Sequence, residues 1–208
     1  MTPYTINLHT LRSTPVMRDP FPYLIVPNFI RPEALAAIET DYPAITKSGS
    51  FPLATLTYGP IFEKLIQEIQ SQEMTSAISN RFGIDLARKP TMVTVRGYTD
   101  ANDGKIHSDS KSKLVTVLLY MNGNWEKPGG RLRLLRSPKN LEDMVAEVPP
   151  DQGTLLAFLN GPKAWHGHEE HIGPRRAIQL NWVKSKSVVW REQLRHRLSA
   201  YGKIFSKY

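Results

Sequence analysis

His107-Ser-Asp109 opens, and Trp165-His166-Gly-His168-Glu-Glu-His171-Ile-Gly-Pro-Arg175-Arg176-Ala177 closes, the stretch on which the reading of this chain turns. His107 and Asp109 are two residues apart, so in extended backbone both side chains leave on the same side. His166 follows 59 residues after His107, room for several strands to run out and bring the chain back. Arg175 comes nine residues after His166, the length of a strand, a turn and the start of a returning strand. Two imidazoles and one carboxylate can hold a divalent metal on one face and leave the opposite positions open, a donor set suited to non-heme ferrous iron.

The segment that carries these residues reads as strands. Thr91 to Tyr98, Lys113 to Asn122, Arg131 to Arg136, Gly153 to Leu159, Ala164 to His168 and Arg176 to Lys184 are short apolar or β-branched runs separated by Gly, Pro and Asp. Such spacing predicts a sandwich or barrel. Ahead of it, Phe21 to Val26 is a strand bounded by prolines. Pro32 begins a helix through Thr40, and Pro60 begins another from Ile61 to Gln70. A third helix, Met74 to Phe82, is closed by Gly83. The residues before Phe21 read as a loop, as do 42–58, 99–106 and 137–150; the last three are candidate substrate-binding loops.

At these residues the chain resembles the Fe(II)/2-oxoglutarate-dependent oxygenases, in particular their prolyl-hydroxylase-like branch. The resemblance rests on His107-Ser-Asp109, His166 and Arg175. Leu118-Leu-Tyr-Met-Asn122, Gly129-Gly-Arg-Leu132, Gly153 to Phe158 and Arg176 to Trp182 support it. One departure is Ala177, where many relatives carry Ser two residues after the basic residue. The resemblance implies an α+β, mainly β fold: a double-stranded β-helix, or jelly-roll, buttressed by N-terminal helices. One domain would span 1–208, with supporting elements over 1–90, the jelly-roll over 91–184 and a basic terminal helix over 185–208.

The same resemblance implies the site. His107, Asp109 and His166 would ligate Fe(II), and Arg175 would grip the distal carboxylate of the co-substrate 2-oxoglutarate. O2 is the second co-substrate, with ascorbate as a supporting reductant. Geometry alone does not separate His166 from His168, because both face one side of an extended segment; alignment with the family's strand selects His166. His168 stays the rival ligand candidate, its alternative being a polar residue at the mouth, and His171 is expected at the solvent-facing mouth. Arg175 shares a face with Ala177, Gln179 and Asn181, a polar lining for a cavity. Arg176 shares the other with Ile178, Leu180 and Trp182, which suits packing on helices. A guanidinium fork matches a carboxylate in a way an ammonium does not. Tyr120, by resemblance, would hydrogen-bond the co-substrate carboxylate, and Tyr98 is a further cavity candidate. Trp125, Trp165 and Trp182 read as packing residues.

The implied reaction hydroxylates an aliphatic carbon, first of all in a prolyl or related residue of a peptide or protein, releasing succinate and CO2. A small molecule or glycan could take the same place. The contrasting class is a jelly-roll module that binds a metal or sugar without turnover.

Composition narrows the setting. Cysteine is absent, which rules out disulfides and zinc–thiolate sites and fits a reducing cytoplasm. No apolar run is long enough to span a bilayer. The net charge is +8, and residues 184–208 hold seven Lys or Arg against one Glu. Val188, Trp190, Leu194, Leu198, Tyr201 and Phe205 predict a terminal helix packing its apolar side on the domain. No nucleic-acid or membrane motif accompanies its charge.

Overall fold

In the computed structural model, residues 4–192 and 194 are described. The alternation of apolar and polar residues after Pro90 becomes two facing antiparallel sheets. Strands β1 (Tyr23–Val26), β2 (Phe51–Pro52), β3 (Thr91–Thr99), β4 (Lys113–Tyr120), β7 (Leu155–Leu159) and β9 (Gly173–Val183) form the larger sheet, in the order β1-β7-β4-β9-β3-β2. Strands β5 (Leu132–Leu135), β6 (Met144–Val148) and β8 (Trp165–Gly167) form the smaller one, in the order β6-β5-β8. This is the expected jelly-roll.

Helices α1 (Leu8–Ser13), α2 (Pro32–Asp41), α3 (Pro60–Ile69) and α4 (Gln72–Phe82) precede the core strands. Pro32 and Pro60 each occupy a first helical turn, where no N–H partner is needed. Ser71 caps α4 by accepting from Met74 N, and Gly83 ends it in the left-handed region at φ 68°. The apolar sides of α3 and α4 (Phe62, Leu65, Ile69, Met74, Ile78) meet Val93, Val95, Val117, Leu119, Ile178, Leu180 and Trp182 from the outer face of the larger sheet. The opposite face turns inward. There Tyr120, Leu156, Phe158 and Ala177 pack against Leu132, Leu134 and Val148 of the smaller sheet. Each fully buried aliphatic or aromatic side chain contributes about 1.5–3 kcal/mol. The helices thus brace the sheet whose other face carries the polar residues.

Four expectations need correction. The chain does not open as a loop: α1 forms there, with Asn7 accepting from Thr10 N and Leu11 fully buried. The stretch 137–150 contains β6, held on β5 by the pairs Leu132–Val148 and Leu134–Ala146, and none of its residues lines a cavity described below. The stretch 42–58 contains β2 and a 3-10 turn, Leu53–Thr55. In the terminal segment, residues 186–192 are helical and Val188 is buried, but Trp190 is 70% exposed and Leu194 43%. Trp190 lies about 200° round the helix from Val188, and Leu194 shares the side of Trp190. The inward side of this helix is Val188 with Glu192. Residues 193 and 195–208, including Leu198, Tyr201 and Phe205, lie outside the described residues. Among those described, no helix is long and apolar enough to cross a membrane.

Candidate metal centre and carboxylate pocket

The two histidines are brought together by backbone. His107 N donates to His166 O at 3.0 Å and His166 N to His107 O at 2.9 Å, an isolated antiparallel bridge. Their ring centroids are 4.4 Å apart. Asp109, two residues on, joins them: one ligand atom from each of His107, Asp109 and His166 lies within 4.8 Å of the others. His107 Nδ1 is 2.8 Å from Lys105 O, and His166 Nδ1 is 3.0 Å from Ala164 O. A carbonyl can only accept, so each Nδ1 carries a proton and Nε2 is the nitrogen left to face a cation. Burial, together with the neighbouring His107, pushes His166 down to about 4, which keeps the ring neutral.

Asp109 is fixed on both oxygens. Lys113 Nζ donates to Oδ1 at 2.8 Å, and the Thr116 hydroxyl donates to Oδ2 at 2.5 Å. Thr116 Oγ1 in turn accepts from Asn160 Nδ2 at 2.9 Å and Asn181 Nδ2 at 2.8 Å. With both lone pairs taken, its single proton goes to the carboxylate. Burial alone would raise the Asp109 pKa, but the Lys113 and His166 charges and these hydrogen bonds outweigh it, and the carboxyl sits below its ordinary value.

Strand register lays out the inner face in rows. Arg96, Ala177 and Tyr120 stand side by side across β3, β9 and β4; Thr94, Gln179 and Leu118 form the next row, and Met92, Asn181 and Thr116 the third. A cavity of about 300 Å³ opens over these rows, walled by Arg96, Asp103, His107, Asp109, His166, His168, Arg175 and Gln179, among others. The Arg175 side chain is buried in it, and its Nε donates to Gly130 O at 2.7 Å. Tyr120 is fully buried beside it, the Arg175 guanidinium 5.4 Å from its ring centroid, and its hydroxyl makes no hydrogen bond. Arg176 leaves on the other side, to Glu39 of α2 at 2.9 Å and over the ring of Tyr42.

Three expected placements are corrected. Tyr98 is not among the residues lining the cavity. The β3–β9 register shifts between Arg96 and Tyr98, so that Tyr98 stands opposite Pro174 where an unshifted strand would set it opposite Arg175. Asn181 is wholly buried and tied to Thr116 and Gln179; it borders a second, smaller cavity of about 280 Å³ that also touches His107 and Asp109. His168 and His171 do not face solvent. His168 lines the main cavity, its Nδ1 held by Glu169 O at 2.8 Å, and burial with the nearby Arg175 lowers its pKa to about 4. His171 packs edge-on against Trp125. Arg96, Lys113, Thr116 and Asp103 are not among the residues expected from the sequence. Gly97 was the available signal for Arg96: a Cβ there would lie 2.4 Å from Ile45 O, and an interior strand glycine under such pressure marks irregular register.

The family model of the 2OG-Fe(II) oxygenase superfamily matches residues 93–184, the part that bears His107, Asp109, His166 and Arg175. No curated protein matches the chain in sequence. Among solved structures, a prolyl 4-hydroxylase from Pseudomonas putida superposes with TM-score 0.54 at 17% identity, over 85% of this chain and 90% of that one. Prolyl 4-hydroxylases from Phytophthora capsici give TM-score 0.56 at 16% identity, over 88% and 64%. A viral collagen prolyl hydroxylase from Paramecium Bursaria Chlorella virus-1, solved with 2OG, gives 0.50 at 14%, over 78% and 96%. Residues 93–184 match the 2OG-Fe(II) oxygenase superfamily, and the chain shares the fold of these prolyl hydroxylases. It is a 2-oxoglutarate-dependent dioxygenase that uses Fe(II) and 2-oxoglutarate.

Proposed function

We propose that the protein hydroxylates an aliphatic carbon, with His107, Asp109 and His166 holding Fe(II) and Arg175 pairing with the distal carboxylate of 2-oxoglutarate. The observation that carries this reading is the presence of the His–Asp–His cluster and a buried arginine fork in one cavity. The residues suit both groups. Two imidazoles that turn Nδ1 to backbone carbonyls and leave Nε2 for a cation, with one fixed carboxylate, suit a ferrous ion. The unpartnered Tyr120 hydroxyl beside Arg175 supplies a hydrogen bond that a carboxylate would accept. When bound, the iron supplies the oxidative chemistry, which couples decarboxylation of 2-oxoglutarate to succinate and CO2 with insertion of one oxygen atom from O2 into a C–H bond.

The chain's own residues orient and shelter. Thr116 and Lys113 fix the Asp109 carboxylate. Leu118 and Leu132 wall the cavity and keep water from the reacting groups. For the substrate, the prolyl hydroxylases among the structural neighbours favour a prolyl or related residue of a peptide or protein. A small polar molecule or glycan is the second reading. It is favoured by the lining of the smaller cavity, where Ser50, Thr94, Ser108 and Gln179 surround a single apolar side chain, Met92. The deciding experiment incubates the protein with Fe(II), ascorbate and 2-oxoglutarate under air and searches peptides, amino acids and saccharides by mass spectrometry for a gain of one oxygen. A gain on prolyl peptides supports the first reading. Turnover on saccharides or amino acids with none on any peptide supports the second, and no succinate under any condition supports a binding module without catalysis.

A further inference from the structure

Arg96 is not needed by the cluster of His107, Asp109 and His166, yet it faces the same cavity as Arg175. It stands in one row with Ala177 and Tyr120, opposite Ala177 on β3 as Tyr120 is on β4. Ala177 between them is a methyl group, so the two long polar side chains flank a gap with no side chain to fill it. One arm of Arg96 is anchored: NH1 lies 3.2 Å from Asp103 Oδ1, and Asp103 Oδ2 is itself held by Asp100 N at 3.0 Å. This salt bridge sets the direction of the guanidinium and uses one of its nitrogens. The wall therefore carries two guanidinium groups, Arg96 and Arg175, against Asp103, while Asp109 is engaged by Lys113 and Thr116. Like charges this close are unfavourable unless an anion lies between them.

We propose that Arg96 is a second anchor for the distal carboxylate of the co-substrate, completing with Arg175 and Tyr120 a three-sided cradle over Ala177. A carboxylate offers about four lone-pair positions. One fork and one phenol leave part of that capacity open, and Arg96 closes it. The inference rests on the assignment of Arg175 as a carboxylate partner. It differs from a purely structural role for Arg96, in which the side chain would only fasten the turn that holds Asp103.

The test is calorimetric binding to the Mn(II)-loaded protein, compared for 2-oxoglutarate and for 2-oxobutyrate, which lacks the distal carboxylate. Arg96→Gln should weaken 2-oxoglutarate about ten- to a hundredfold, the worth of hydrogen bonds to a charged group, and leave 2-oxobutyrate unchanged. Arg96→Lys, which keeps the charge without the fork, should fall between the two. Should Arg96→Gln fail to fold, the Lys variant alone still has to lose 2-oxoglutarate affinity selectively. Unchanged 2-oxoglutarate binding in Arg96→Gln, or equal losses for both acids, overturns the proposal. Arg175→Gln run in parallel separates the two levels: if that variant keeps full 2-oxoglutarate affinity, the underlying assignment of Arg175 is what has failed.

Discussion

Replacing Thr116 by Val keeps the shape of the side chain and removes the one hydroxyl that ties Asp109 to the sheet. Three bonds disappear with it: the donation to Asp109 Oδ2 and the acceptances from Asn160 and Asn181. Asn181 is wholly buried, and its freed N–H costs about 1–3 kcal/mol. For a protein of this size each kcal/mol lowers Tm by about 2–4 °C, so Thr116→Val should melt roughly 2–12 °C below wild type. The second consequence is at the metal. A ligand that loses its supporting partner typically loses about 10–100-fold in metal affinity. Titration of the metal-free protein with Mn(II), followed by calorimetry, reads this directly, alongside thermal melts by circular dichroism. Thr116→Ser should restore both. A Thr116→Val protein that binds Mn(II) as tightly as wild type would refute the argument that this hydroxyl positions Asp109.

His166→Ala should abolish succinate production and iron retention, whereas His168→Ala should keep iron and substantial activity; iron analysis of the two purified variants separates them. Arg175→Ala should retain iron and weaken 2-oxoglutarate at least roughly a hundredfold, because breaking a buried charged pair costs about 3–5 kcal/mol. Arg176→Ala, whose partners lie on the helix side, should change co-substrate affinity little; the check is succinate release against 2-oxoglutarate concentration. The metal-free protein should lose stability in acid. Burial first, with like-charged neighbours, holds His166 and His168 near 4, below the ordinary 6.5. The unfolded chain therefore takes up these protons first. Their contribution is whole above about pH 6.5 and is lost as pH falls from there through 4. Melts from pH 7.5 to 4 should show that slope, and a flat profile would count against it.

The jelly-roll was legible because its strands are apolar runs punctuated by Gly and Pro, and because Ile178, Leu180 and Trp182 alternate cleanly with Arg175, Ala177 and Gln179. The triad was legible from residue type and spacing, helped by family resemblance in choosing His166 over His168. What escaped notice depended on contacts between distant parts of the chain. Strand β6 is short, follows Glu142 and Asp143 and runs into two prolines, so only its pairing with β5 makes it a strand. Tyr98 shares a parity with Arg96 in sequence, and a register shift against β9 decides which of them reaches the cavity. Thr116 looks like any β-branched strand residue until Asn160 and Asn181, 44 and 65 residues away, fill its lone pairs. Helix α1 has six residues, too few for a periodic signal, and forms because Leu11 has a core to enter.

The central claim is that His107, Asp109 and His166 hold the iron that consumes 2-oxoglutarate. Its most direct test is succinate formation from 2-oxoglutarate by wild type and Asp109→Ala, with Fe(II) and O2 supplied, iron content measured on each protein and folding checked by the melt. Wild type should release succinate in an Fe(II)-dependent manner. Asp109→Ala, lacking one of three ligands and the charge that balances the ion, should remain folded, bind little iron and release almost none. Full succinate production by Asp109→Ala would contradict the assignment of this cluster as the iron site.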